Sequence, residues 1–257
     1  MLKPPHNLPP ITLEEMESIK LMNRIDTKYL TDETTLAKVL EDSAEAGYRA
    51  LKTEGGIICP YNSIYFDTPG LKMFLDHHNQ KLNRQKVRTR EYVNSAAAYL
   101  EIKRKKNNGR VKKKRVRIPV DEMGDFSNDP EAVSFLASHS DFTLDQISPV
   151  LSTGFDRITL VNPAKTERVT IDMNLKFNNF RTGKKASLMD AVIIEIKRDG
   201  RSDSQMKGIL LDNRVKPVKV SKYCVAVTLT DRSAKSGRFK EKIRAIEKTI
   251  NKKITVS

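Results

Sequence analysis

Lys86-Val87-Arg88-Thr89-Arg90 places three cations at alternate positions, and in extended backbone alternate side chains share a face. The pattern recurs down the chain. Glu101 and Lys103 oppose Leu100 and Ile102; Lys113, Arg115 and Arg117 oppose Val116 and Ile118; Phe155, Arg157 and Thr159 oppose Ile158 and Leu160. Arg168, Thr170 and Asp172 oppose Val169 and Ile171, and Glu195 and Lys197 oppose Ile194 and Ile196. Guanidinium groups fork onto phosphate oxygens and ammonium groups add point charges. Such a set therefore suits an anion rich in phosphate. The unit Glu-Ile-Lys occurs at Glu101 to Lys103 and again at Glu195 to Lys197. A carboxylate among so many cations is either an ion-pair partner or a ligand for Mn2+ or Mg2+, which take carboxylate and phosphate oxygens together. Cations that position a phosphate chain, with a metal to bridge its oxygens, can transfer a phosphoryl group without a protein nucleophile.

These faces need a scaffold. An ordinary antiparallel sheet turns its apolar face inward and leaves its charges in water, and for any single strand that is the simpler reading. Matched parity over six strands favours a barrel instead, with apolar outer faces under helices and charged faces around a wet lumen. Strands are expected over Ser63 to Asp67, Lys86 to Val93, Tyr99 to Lys105, Val111 to Ile118, Phe155 to Val161, Arg168 to Met173 and Val192 to Lys197. Helices are expected over Leu13 to Leu21, from the Thr31 and Asp32 caps toward Gly47, over Glu131 to His139 and over Ser202 to Asn213. A last amphipathic helix, Arg238 to Ile250, carries Phe239, Ile243, Ile246 and Ile250 on one stripe.

The 257 residues carry 47 Lys and Arg against 32 Asp and Glu, a formal charge of +15 that favours an anionic partner. Cys59 and Cys224 lack the spacing of a disulfide scaffold or zinc site and read as buried thiols of a reducing cytoplasm. The first ten residues hold four prolines and no apolar run, and no later stretch approaches the roughly 20 apolar residues of a membrane span. His77-His78 has no third ligand nearby and reads as surface. The Lys103 to Arg117 run has few aromatics for base stacking, which disfavours nucleic acid as the ligand.

An ordered series of motifs carries a resemblance: Arg24 to Tyr29; Tyr65-Phe66-Asp67-Thr68; Lys86 to Arg90 with Tyr92; Leu100 to Lys103; Lys113 to Arg115; Phe155-Asp156-Arg157; Arg168 to Asp172; Ile194 to Lys197; and Ser221-Lys222-Tyr223. From about Arg24 to Tyr223 the chain resembles the catalytic domain of vacuolar transporter chaperone (VTC) proteins, polyphosphate polymerases of the triphosphate tunnel metalloenzyme superfamily. The resemblance implies an α+β fold, an eight-stranded antiparallel β-barrel tunnel with a charged lumen packed by surrounding helices. It implies transfer of the γ-phosphate of ATP onto polyphosphate. Lys28, Arg88, Arg90, Lys103, Lys113, Arg157, Arg168 and Lys222 look like the family's phosphate-binding residues, and Glu195 like its metal ligand. Lys28 and Lys222 rest on resemblance alone.

The expected site therefore comprises Lys28, Arg88, Arg90, Lys103, Arg157, Arg168 and Lys222 for catalysis, Lys113, Arg115 and Lys197 for the bound phosphates, and Glu195 with Glu101 for Mn2+ or Mg2+. Two departures stand out. Leu75-Asp76-His77-His78 lacks an arginine found in some relatives, for which Arg84 is a candidate replacement, and Phe155 stands where the family often has tyrosine. The expected organisation is a flexible tail over 1–10, a catalytic domain over 11–235 and the last helix over 236–257. The chain is expected to be cytoplasmic, with ATP and polyphosphate as ligands and a membrane-protein partner if product is exported. A tripolyphosphatase or nucleoside triphosphatase of the same superfamily, or a noncatalytic polyphosphate- or nucleic-acid-binding module, are the alternatives.

Overall fold

Alternating apolar and polar residues give long strands, and the apolar halves of those strands dictate where the helices lie. The computed structural model describes residues 8–19, 21, 24–200 and 202–257. In chain order it contains β1 (Pro10–Ile11), α1 (Leu13–Ser18), β2 (Ile25–Asp32), α2 (Glu33–Glu45), β3 (Arg49–Leu51), β4 (Cys59–Asp67), α3 (Lys72–His78), β5 (Arg84–Tyr92) and β6 (Ala97–Lys105). It continues with β7 (Val111–Ile118), α4 (Pro130–His139), β8 (Ser148–Val161), β9 (Glu167–Asn179), β10 (Lys185–Leu188), β11 (Ala191–Arg198), α5 (Gln205–Asp212), α6 (Lys222–Thr230) and α7 (Gly237–Ile250).

Eight strands run in the order β2-β11-β9-β8-β4-β5-β6-β7, each antiparallel to its neighbours. Register shifts at Tyr65/Phe66 in β4 and at Gly154/Asp156 in β8 curl the sheet at its middle. The ring has a seam, because β2 and β7 end the order and share no hydrogen-bonded ladder among the described residues. Charge accounts for this: Lys112, Lys113, Lys114 and Arg115 are all exposed, so β7 is basic on both faces, a composition that protects an edge strand from pairing.

The polarity is the reverse of an open sheet. Ile158, Leu160, Val169, Ile171, Val192, Ile194 and Ile196 are buried in one cluster with Leu36, Val39 and Leu40 of α2 and Met206 and Leu210 of α5. Val87, Leu100 and Ile102 are buried with Ala132 and Leu136 of α4. Asp32 caps α2 by accepting from Thr35 N at 2.9 Å, and Gly47, at φ +76°, ends it in the left-handed region.

Two expectations change, at the tail and at His78, and two segments that the sequence left open, the one before the α2 caps and the α7 stripe, are placed. Residues 1–7 of the proline-rich tail lie outside the described residues, and Pro10–Ile11 is ordered in a parallel pairing with β3. The segment before the α2 caps is a full strand, β2. The stripe of α7 is covered by its own chain, with Phe239 and Ile246 buried beside α6 and β10 residues and Ile250 packed against them. His78 is buried, not on the surface: its ring meets Phe239 edge-on and its Nε2 accepts from Arg238 N at 3.4 Å. Burial, with Lys86 and Arg84 nearby, holds the neighbouring His77 imidazole neutral at a pKa of about 2. Cys59 and Cys224 are free and buried. Among the described residues no helix is long and apolar enough to cross a membrane.

Candidate functional site

Register decides which side chains meet. Across β4, β5, β6 and β7 one row is Ser63, Arg90, Tyr99 and Arg117; the next is Tyr65, Arg88, Glu101 and Arg115; a third is Lys86, Lys103 and Lys113. On the other half, Glu195 lies between Lys28 and Thr170, and Arg157 beside Asp172. Curling the sheet turns both sets of rows toward one another, and three carboxylates on them each gather two cations.

At the first, Arg88 Nη2 and Nε donate to Glu101 Oε2 at 2.6 and 2.8 Å, and Lys113 Nζ meets Oε1 at 2.5 Å. Burial alone would raise the Glu101 pKa, but Arg88, Arg90 and Lys113 hold it well below the usual carboxylate range. Arg88 Nη1 also donates to the Tyr65 hydroxyl at 3.2 Å. That phenol is buried, which raises its pKa, yet Arg88, Arg90, Lys86 and Lys222 lower it to about 8.

At the second, Arg157 Nε and Nη2 fork onto Asp172 Oδ1 and Oδ2 at 2.6 and 2.8 Å, and Lys222 Nζ bonds to Oδ2. Lys222 opens α6, whose cap Ser221 accepts from Lys86 Nζ at 2.9 Å, so this helix delivers a cation into the row of β5. Phe155 supplies a bare ring where the resembled family often has a tyrosine: Lys222 Nζ sits 4.5 Å from its centroid, and it stacks on Tyr61 at 5.4 Å.

At the third, Lys28 Nζ bonds to Glu195 Oε1, and Lys197 Nζ lies 2.9 Å from Oε2 and donates to Thr170 Oγ1 at 3.1 Å. Desolvation outweighs the pull of Glu195 on Lys197, with Arg157 adding to it, and lowers that ammonium to about 8. Lys103 ties the two halves together electrostatically. Its pKa is lowered by burial and by Lys28 and Lys86 against the attraction of Glu195 and Asp26, residues from the opposite end of the strand order.

The lumen keeps a surplus of positive charge. Among the described residues Arg90, Lys86, Lys103 and Arg115 form no ion pair. Arg90 donates to Ser63 Oγ at 3.0 Å and lies over Tyr61 and Phe155, while burial, Arg88 and Arg157 lower its pKa to about 10. Arg115 rests 4.5 Å over the Tyr99 ring. A condensed phosphate would neutralise what the protein leaves uncompensated.

Lys28, Arg88, Arg90, Lys103, Lys113, Arg157, Lys197, Lys222, Glu101 and Glu195 thus converge, and Arg115 joins the wall. Arg168 does not join a carboxylate group: its Nη2 donates to the Met16 carbonyl at 2.5 Å, tying β9 to α1. Arg84 donates to the Lys81 carbonyl and also stands outside the three groups. Three lumen residues stood in the quoted motifs but were given no site role from sequence: Asp172, Tyr65 and Ser221. Asp172 shared its parity with Thr170 and was the legible one; the register of Tyr65 beside Arg88, and the placement of Ser221 by α6, exist only in the fold.

The family described as VTC domain matches residues 23–230. No curated protein matches the sequence. Among solved structures, a provisionally named adenylate cyclase (bh2851) from Bacillus halodurans superposes with a TM-score of 0.51 at 14% identity, covering 78% of this chain and 96% of its own. HpAC1 from Hippeastrum, provisionally named an adenylyl cyclase and described as having a dominant triphosphatase activity, superposes with a TM-score of 0.52 at 14% identity, covering 80% and 96%. At such identity the likeness is one of fold.

Proposed function

The chain belongs to the VTC domain family, and from that premise we propose that it is a polyphosphate polymerase that moves the γ-phosphate of ATP onto a polyphosphate chain held in the lumen. The observation that carries the reading is the set of three carboxylates, Glu101, Asp172 and Glu195, each held between two cations around a lumen with further cations unpaired. A solvated sheet would not bury Arg90 and Glu101.

Glu101 and Glu195 differ in what they could offer a divalent cation. Glu195 is 16% exposed and each of its oxygens meets one lysine, leaving lone pairs free. Glu101 is 2% exposed and its oxygens take three contacts from Arg88 and Lys113, so the metal role falls to Glu195. No group of three or more His, Cys, Asp or Glu gathers among the described residues. One carboxylate, completed by phosphate oxygens and water, is a donor set that fits Mg2+ or Mn2+. When bound there, the ion supplies charge neutralisation on the transferring phosphoryl group.

The chain's own groups do the rest. Arg90, which has no carboxylate partner, presents its guanidinium to phosphate oxygens, Arg88 and Arg157 offer the N–H donors that Glu101 and Asp172 leave over, and Lys28, Lys197 and Lys222 can exchange a protein carboxylate for a phosphate. Lys103 and Lys113 extend the track along β6 and β7. The same lumen would serve hydrolysis with water as acceptor. Incubation with ATP and Mn2+, followed by resolving products by length, tests the proposal. Long chains support it, free phosphate alone moves the chain to the hydrolases, and no turnover leaves a binding module.

A further inference from the structure

The cationic face of β5 and β6 does not stop where the three carboxylate groups stop. One row beyond Lys86 and Lys103, Arg84 pairs with Lys105 at the same parity, about 7 Å further along the strands. The β6–β7 turn follows at once, closed by Lys106 N to Arg110 O at 2.9 Å and by Gly109 at φ +77°, where a side chain would be strained. Arg84, Lys105, Lys106, Asn107 and Asn108 from these segments border a cavity of about 700 Å³ that also reaches α3.

Its two carboxylates are already used. Asp76 is paired with Lys72 at 2.6 Å and Lys81 at 2.9 Å, and Asp141 with Arg104 at 2.7 Å. Among the described residues Arg84, Lys105 and Lys106 form no ion pair. Gln85 and Arg104, of the opposite parity, line it as well, so the cavity straddles the end of the β5–β6 pair, where Arg84 and Lys105 continue the lumen's row as uncompensated donors. Phe142 is its one aromatic lining residue, so it lacks the stacking platform that single-stranded nucleic acid needs.

We propose that this cavity is a second phosphate station, at the mouth of the lumen, that holds condensed phosphate chains too long for the lumen alone. The inference rests on the lumen being a phosphate site. It assigns Arg84, Lys105 and Lys106 to chain length, not to chemistry. A nucleotide or tripolyphosphate ends inside the lumen, whereas a long chain emerges past the Arg84–Lys105 row and meets the turn.

The test compares tripolyphosphate, long-chain inorganic polyphosphate and polyadenylate RNA as ligands for the full chain and for Arg84→Ala/Lys105→Ala/Lys106→Ala. The expected result is tripolyphosphate affinity within about twofold of the parent, polyphosphate affinity lower by about tenfold or more, and a shallower salt dependence for polyphosphate alone. Unchanged polyphosphate affinity, or an equal loss for tripolyphosphate, overturns the proposal. An equal loss for RNA also overturns it, making the turn a general polyanion surface. Arg157→Ala separates this failure from failure of the lumen reading: if it leaves tripolyphosphate binding intact, the lumen reading falls, whereas if it weakens both phosphates and the triple variant weakens neither, only the mouth station falls. Should the triple variant melt early, Lys105→Glu/Lys106→Glu, at the end of β6 and the start of the turn, replaces it under the same criteria.

Discussion

Arg157 and Asp172 lie on adjacent strands with guanidinium and carboxylate in fork-to-fork contact, Nε to Oδ1 at 2.6 Å and Nη2 to Oδ2 at 2.8 Å. Asp172 also receives Lys222 from α6, so one carboxylate fixes two cations that no local sequence relation connects. Burial works against its charge, and Arg157 and Lys222 hold its pKa well below the usual range.

Asp172→Asn should therefore destabilise the free protein by about 3 to 5 kcal/mol, because it leaves two largely buried cations facing each other without a counter-charge. Tripolyphosphate should restore much of the loss by binding only the folded state. Urea unfolding with and without tripolyphosphate decides it. Wild-type stability without ligand would show that the pair is not what holds these cations.

Glu195→Gln should lower turnover by about a hundredfold or more while the fold persists, since a metal site loses its one protein carboxylate and several kcal/mol of transition-state stabilisation. It also frees Lys28 and Lys197, so metal-free tripolyphosphate binding should be retained. Parental activity with an unchanged metal titration would remove the assignment.

Arg90 has a hydrogen bond to Ser63 but no carboxylate. Arg90→Met should leave the free protein at least as stable, by removing repulsion from Arg88 and Arg157, and weaken triphosphate binding by about 1.5 to 3 kcal/mol. Arg168→Ala should change binding by less than about 1 kcal/mol, because that guanidinium is held at the Met16 carbonyl, apart from the three carboxylate groups. Calorimetry with a nonhydrolysable nucleotide would refute the ranking if the two effects came out equal.

Tyr65 and Lys197 both titrate near pH 8 in the fold and near 10 when unfolded. Each folded group holds fewer protons than its unfolded counterpart between those values, so their contribution makes stability rise with pH across roughly 8 to 10. Triphosphate affinity should move the opposite way, because Tyr65 gains a negative charge and Lys197 loses a positive one. Tyr65→Phe should flatten part of the decline. An affinity profile identical to the parent above pH 8 would place Tyr65 outside the lumen's charge balance.

Ile246, on the inner face of α7, is fully buried, and Ile246→Ala should cost about 2 to 5 kcal/mol. Removing the chain after Ser236 strips Phe239 and Ile246 from the core that also holds Tyr223, so the truncated protein should unfold or fail to express in soluble form. A folded, active truncation would return α7 to the role of a docking element.

Period-two alternation was enough to separate a charged face from an apolar face on each strand, because side-chain direction in a strand is a local property. Arg88, Arg90, Glu101, Lys103, Lys113, Arg157, Glu195 and Lys197 were legible for that reason, as was the burial of Ile158, Ile171 and Ile194 beneath helices. The α6 helix was not, since Tyr223 to Val227 are buried all round and show no periodic stripe. Parity also could not say which carboxylate meets which cation. That Glu101 takes Arg88 and Lys113, that Asp172 takes Arg157 and Lys222, and that Arg168 turns away to Met16 follow from strand order, two register shifts and one helix start. These are contacts between distant parts of the chain, and only the curled sheet, with its seam between β2 and β7, sets their geometry.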